Sequence, residues 1–144
     1  MWTCEHTVTS HATPAQVWAR YAEPRTWPEW DAATEHVTLQ GLFAVGSRGS
    51  LKPVGGPTTR FTLTEVVPDV GFTNVTRLPM ARLEFRHQIE ATSTGSRLTH
   101  SVTISGLLSA LFARVIGAGV ALDLPSAMTA LARLAAAVPV VPAR

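Results

Sequence analysis

The chain has 144 residues, 46% of them hydrophobic and 15% charged, with one cysteine and a formal net charge of +2. That is apolar material for one core and the reverse of a disordered composition. A lone cysteine closes no internal disulfide, as expected of a cytoplasmic protein, and arginines scattered from Arg20 to Arg144 without a basic stripe argue against nucleic-acid binding.

Trp2 to Ser10 alternates, with Trp2, Cys4, His6 and Val8 on one side, and predicts a strand with no export leader ahead of it. On that face Cys4 reads as a small buried hydrophobe rather than a nucleophile. Thr13 followed by Pro14 marks a helix start, because Thr caps and Pro at the first helical position loses no hydrogen bond. The helix carries Val17, Trp18 and Tyr21 as its apolar stripe and stops before Pro24. The stretch PRTWPEWD, with two prolines, holds no more than a short helical turn, with Trp27 and Trp30 three apart.

Five strands are then expected before the last hairpin strand: Thr34 to Gln40, Gly46 to Lys52, Thr58 to Val67, Val70 to Leu78 and Arg82 to Ala91. The last of these pairs with Arg97 to Ser105 through a turn in Ser93-Thr94-Gly95-Ser96. A turn at Thr94-Gly95, or a loop from Ser93 to Ser96, sets His87 opposite Val102 and His100 opposite Ile89. Leu83, Phe85, His87 and Ile89 then share the apolar face with Leu98, His100, Val102 and Ile104. Leu107 to Val138 reads as a long helix. Arg114, Asp123, Pro125 and Arg133 interrupt it too often for membrane insertion, Asp123 reads as a cap before a kink at Pro125, and PVVPAR forms a tail.

Strand, two short helices, six strands and a long helix describe one α+β domain, residues 1–138, with a tail at 139–144. The seven strands form an antiparallel sheet whose apolar face needs a cover, and the C-terminal helix is long enough to supply it. No nucleotide, serine-hydrolase or C-x-x-C motif is present.

The order of these elements, with T-P-A-Q-V-W, E-P-R-T-W-P-E-W-D, G-S-R-G, R-F-T-L-T-E-V-V-P and G-S-R-L-T-H-S-V-T-I-S-G, resembles the START-like (SRPBCC, Bet v 1-like) superfamily and is most similar to its polyketide cyclase/dehydrase-like branch. The resemblance spans about Glu5 to Leu134. It implies a helix-grip fold: a curved antiparallel sheet wrapped around the C-terminal helix, with a cavity closed at one end by the two short helices and their tryptophans. It also implies a hydrophobic small-molecule ligand and no obligatory cofactor. Asn74 stands where close relatives often carry a bulky aromatic.

The candidate ligand-binding residues are His6, Phe61, Leu63, Asn74, Phe85, His87, His100, Val102, Leu124 and Met128, with Ile104 and Leu131 completing the walls. The small side chains of the helix predict unfilled volume opposite the sheet. His6, His87 and His100 reach neighbouring strands, but cross-strand spacing is a weak metal signature, and no metal is assigned. Glu65 and Glu84 face solvent in this reading, and Asp31 caps a turn or pairs with an arginine. Three functions stay open: binding of a hydrophobic or aromatic small molecule, polyketide cyclisation or dehydration with His87 and His100 as acid/base groups, or protein interaction through the apolar helix surface. Oligomeric state and ligand identity are not legible.

Overall fold

A computed structural model describes residues 1–137; Val138 and the expected tail lie outside the described residues. Seven strands, β1 (Trp2–Ser10), β2 (Thr34–Gln40), β3 (Arg48–Pro53), β4 (Thr59–Val67), β5 (Gly71–Leu78), β6 (Ala81–Thr92) and β7 (Gly95–Ser105), form one antiparallel sheet in the order β1-β7-β6-β5-β4-β3-β2. Between β1 and β2 lie helix α1 (Pro14–Tyr21) and a 3₁₀ segment (Pro24–Glu29). The long helix runs as α2 (Ser109–Phe112), a π turn (Ala113–Gly117) and α3 (Ala118–Ala137). This is the expected helix-grip, Bet v 1-like architecture.

Local chemistry accounts for the short helices. Thr13 Oγ1 accepts the Gln16 amide N–H while Gln16 Oε1 accepts that of Thr13, a reciprocal cap ahead of Pro14. Pro24 and Pro28 restrict the next six residues to a 3₁₀ turn. Strand β3 starts two residues later than expected, because Gly46 has φ +90° and the Ser47 hydroxyl donates to the Leu42 carbonyl, which keeps both in the loop.

The hairpin register differs from the expected one by two residues. Thr92 pairs with Gly95, so Ser93-Thr94 forms the turn and His87 stands directly opposite His100, not opposite Val102. The apolar faces still coincide, since a two-residue shift preserves side-chain parity. Gly95 enters the ladder because the end of β1 passes over it: a Cβ there would lie 2.1 Å from the Ser10 carbonyl. Ser96 completes the junction by donating to the Ala12 carbonyl.

The long helix does not cover the whole sheet. α3 packs along β1 and against α1, burying Leu124, Met128, Leu131 and Ala135. Ser109–Ala137 is long and apolar enough to cross a membrane by length and composition, but those four residues seat its C-terminal half in the core. Pro125 lies within a continuous α3, so Asp123 sits inside that helix and does not act as the expected cap. Cys4 is half-buried against the core rather than enclosed.

Two glycines test the packing in opposite directions. A Cβ on Gly71 would lie 2.2 Å from the His87 carbonyl, whereas one on Gly119 meets nothing within 4 Å. Gly71→Ala is expected to cost about 1–3 kcal/mol through overpacking. Gly119→Ala is expected to gain about 0.8 kcal/mol from helix propensity. Urea unfolding midpoints of the two variants measure both.

Candidate functional site

The site grows from the inner face of β4–β7 and the aromatic rings that cover it. Phe72 on β5 and His87 on β6 are cross-strand partners, and Phe85 lies one inward position along β6. The alternation of strand side chains therefore stacks the His87 imidazole between the Phe72 ring, 3.9 Å away at 8°, and the Phe85 ring, 4.4 Å away at 6°. His100 meets His87 edge-on at 4.5 Å. Trp27 stacks on Phe61 and Phe72, and Tyr21 packs its edge on Phe72.

Polar atoms enter this apolar layer at defined points. His87 donates its Nδ1–H to the Phe72 carbonyl at 3.3 Å, which leaves the proton on Nδ1 and a lone pair on Nε2. Tyr21 Oη and His100 Nε2 share a 2.7 Å hydrogen bond. Trp27 Nε1 donates to the Tyr21 carbonyl. Trp30 Nε1 is buried and, among the described residues, has no acceptor. Trp30 packs its ring against Tyr21 and His100, so the orphan donor belongs to this same cluster.

Burial sets the charge states. The His87 pKa is held well below the ordinary imidazole value by desolvation, with a smaller contribution from His100 and a partial offset from the Phe72 carbonyl. Desolvation lowers that of His100 to about 3, helped by His6. Burial raises the Tyr21 pKa, so the phenol keeps its proton. The cluster is a set of neutral hydrogen-bonding groups at pH 7.

The structure brings together His87, His100, Phe85 and Phe61 of the expected residues. Asn74 faces inward between Leu63 and Phe85, is 8% exposed, and among the described residues no hydrogen bond engages its amide. Val102, Ile104, Leu63, Leu124, Met128 and Leu131 are buried as expected. His6 pairs with His100 across β1 and β7 but stays half-buried. No group of three His, Cys, Asp or Glu side chains poised for a metal occurs among the described residues. Asp31 caps the entry to β2 through the Ala33 amide and the Thr34 hydroxyl; among the described residues it pairs with no arginine.

The volume predicted opposite the sheet is taken up by rings. Tyr21, Trp27 and Trp30 occupy it, and among the described residues open clefts lie elsewhere, such as one of about 490 Å³ between β1 and α3, bordered by His11, Thr129 and Arg133, and a smaller one on α3 itself. Tyr21, Trp30 and Phe72 are absent from the sequence-derived site. Tyr21 and Phe72 had signals: a hydroxyl on an apolar helix stripe needs a buried partner, and Phe72 shares strand parity with Asn74.

The sequence model of a family described as "Polyketide cyclase / dehydrase and lipid transport" matches residues 1–138. No curated protein matches the chain. Among solved structures, a protein from Mesorhizobium loti superposes with a TM-score of 0.72 at 20% identity, covering 92% of this chain and 96% of that one. The di-domain ARO/CYC StfQ from the steffimycin biosynthetic pathway gives 0.69 at 17% identity, over 94% of this chain and 50% of that one. Norcoclaurine synthase from Thalictrum flavum, in complex with dopamine and hydroxybenzaldehyde, gives 0.68 at 15% identity, over 92% and 85%.

The two buried histidines make stability depend on pH. Their folded pKa values lie below the unfolded value of about 6.5, so the unfolded chain binds protons first and stability is lost as pH falls below that point, down towards about 3 for His100. The unfolding free energy is expected to fall by about 2.7 kcal/mol per pH unit near pH 5, the slope of two protons. His87→Gln is expected to halve that slope, and urea titrations at several pH values measure it; an unchanged slope would show that His87 is not buried neutral.

Proposed function

The chain belongs to the polyketide cyclase/dehydrase and lipid transport family, and from that premise we propose that it binds a hydrophobic or aromatic small molecule bearing an oxygen acceptor, on the inner face of the sheet. The observation that carries this reading is Trp30 Nε1. A buried donor without a partner costs about 1–3 kcal/mol, and a ligand carbonyl or hydroxyl at that point would recover it. Asn74, whose amide has no partner among the described residues, offers a second polar contact. The surrounding rings suit a planar aromatic skeleton, and a protein of the same fold holds two aromatic molecules, dopamine and hydroxybenzaldehyde.

Rings fill the space, so ligand entry requires rings to move. Trp27 lies in the 3₁₀ segment and Trp30 at its end, and the poorer hydrogen-bond geometry of a 3₁₀ turn makes this segment the one that would yield to a ligand. Val102, Leu124 and Met128 form the apolar floor and far wall in this reading, and His6 lies at the margin. The reading also carries a cytoplasmic location, where a half-buried Cys4 stays reduced.

Acid/base turnover through His87 and His100 has less support. A base whose conjugate acid has a pKa of about 3 takes up a proton weakly at neutral pH, and His87 is depressed as well. Both imidazoles fit better as fixed, uncharged orienting groups.

A matched pair of probes tests the proposal: 2-acetylnaphthalene, which carries a carbonyl, and 2-ethylnaphthalene, which does not. Tryptophan fluorescence titrations are expected to show saturable binding of both, tighter for the ketone. Trp30→Phe, which keeps a ring and removes the donor, is expected to weaken the ketone about 5- to 10-fold, as loss of one hydrogen bond implies, and to leave the hydrocarbon unchanged. No saturable binding of either probe, or an equal effect of the variant on both, overturns it.

A further inference from the structure

The antiparallel ladder gathers one end of every strand on the same side of the molecule: the starts of β1, β2, β4 and β6 and the ends of β3, β5 and β7. The start of the long helix is tied there too, through the Leu108 amide bonded to the Met80 carbonyl and Gly117 against the Trp2 indole. Met1, Val54, Met80, Leu107, Leu111 and Val115 are all exposed at this end, Leu107 to 83% and Met80 to 62%. Among the described residues they stay uncovered, and apolar side chains gathered at one end of a fold mark an interaction surface.

Met80 adds a conformational argument. Pro79 and Met80 form the two-residue turn between Leu78 and Ala81, and Met80 has φ +52°, where Gly or Asn is the favourable choice. A large apolar side chain is thus held outward at a turn tip in a backbone conformation that disfavours it.

Charge identifies the partner. Arg77 and Arg82 are directly opposite each other on the outer face of β5 and β6, an arrangement that like charges disfavour. Arg60 continues their row, since Thr62 pairs with Val75 and Arg60 and Arg77 each lie two residues further along. Arg114 stands on the exposed side of the π turn. None of the four is in an ion pair among the described residues, where the paired cations are Arg20, Arg25, Lys52 and Arg97. Glu84, one row along, is the carboxylate nearest the row by strand register; Glu35 is taken by Lys52.

Exposed apolar side chains rimmed by unpaired arginines match a surface that is apolar beneath and anionic at its face. We infer that this end of the molecule docks on anionic lipid, with Met80, Leu107 and Leu111 dipping into the interface and Arg77, Arg82, Arg60 and Arg114 at headgroup level. The chain lies on the bilayer and does not span it, because the C-terminal half of its long helix is occupied in the core. A second copy is a poorer occupant: an isologous contact centred on this end would bring two arginine rows together.

Vesicle sedimentation of the full chain tests the inference, using phosphatidylcholine vesicles with and without phosphatidylglycerol, at low and high salt. Binding to the anionic vesicles alone, weakened by salt, is expected. Arg77→Ser with Arg82→Ser is expected to weaken it about 25-fold, at about fivefold for each arginine. Met80→Asp with Leu107→Asp is expected to abolish it, and Arg97→Ser, at the start of β7 and so at the opposite end of the sheet, to change it less than twofold. Circular dichroism and thermal melts confirm that these exposed variants remain folded. Absent binding, equal binding to neutral vesicles, or an Arg97→Ser effect matching the double arginine variant overturns the inference. So does light scattering that shows a dimer broken by Leu107→Asp, which would assign the surface to a second copy.

Discussion

One helix is too narrow to cover this sheet, and the interior follows from that mismatch. Seven strands at about 4.8 Å spacing span roughly 29 Å, while a helix with its side chains is about 10–12 Å across. α3 settles along β1 and against α1, which leaves the inner face of β4–β6 without a helical cover. The two short elements after β1 fill the deficit with their largest side chains, Tyr21, Trp27 and Trp30, laid over Phe61, Phe72 and His87. The concentration of tryptophan in one short stretch is the composition this geometry demands.

Covering a sheet with tyrosine and tryptophan has a chemical consequence that leucine would not. Each such ring brings a polar atom into a layer with few acceptors. The structure resolves most of these locally: Tyr21 with His100, Trp27 with the Tyr21 carbonyl, His87 with the Phe72 carbonyl. The same enclosure holds both imidazoles neutral and the phenol protonated. Trp30 Nε1 is left over because Trp30 follows the 3₁₀ segment, where its ring meets other rings and, among the described residues, its N–H meets no acceptor. The orphan donor and the covering role are two results of one placement.

This division explains which features the sequence disclosed. Strand parity is local, so the inward positions of Phe85, His87, His100 and Val102 followed from alternation, and the Thr13–Pro14 cap from residue type. The facing of His87 and His100 did not, because the turn position depends on the close passage of β1 over Gly95, a contact remote in sequence. The filled interior was illegible for a related reason. Small residues on the helix promise space, but whether rings from another element occupy it depends on where the helix sits across the sheet. Tyr21 read as one more apolar stripe residue, since its partner lies 79 positions away.

Burial is distributed unevenly along the long helix, and this sets where the fold yields. α3 buries six side chains, from Leu124 to Ala135, whereas α2 and the π turn bury only Ser109 and Gly117. Local opening follows buried apolar area, so the first turns of the helix open at lower cost than the last. Pro125 lies at the start of the buried stretch and offers no N–H to the carbonyl four residues earlier, which weakens the ladder where the loosely packed half meets the firmly packed one. Behind the anchored half, Ser10 donates to the Ala132 carbonyl and pins α3 to the end of β1. The lightly packed half starts at the same end of the sheet as Met80 and Leu107, held there by the Leu108 amide on the Met80 carbonyl and by Gly117 against Trp2.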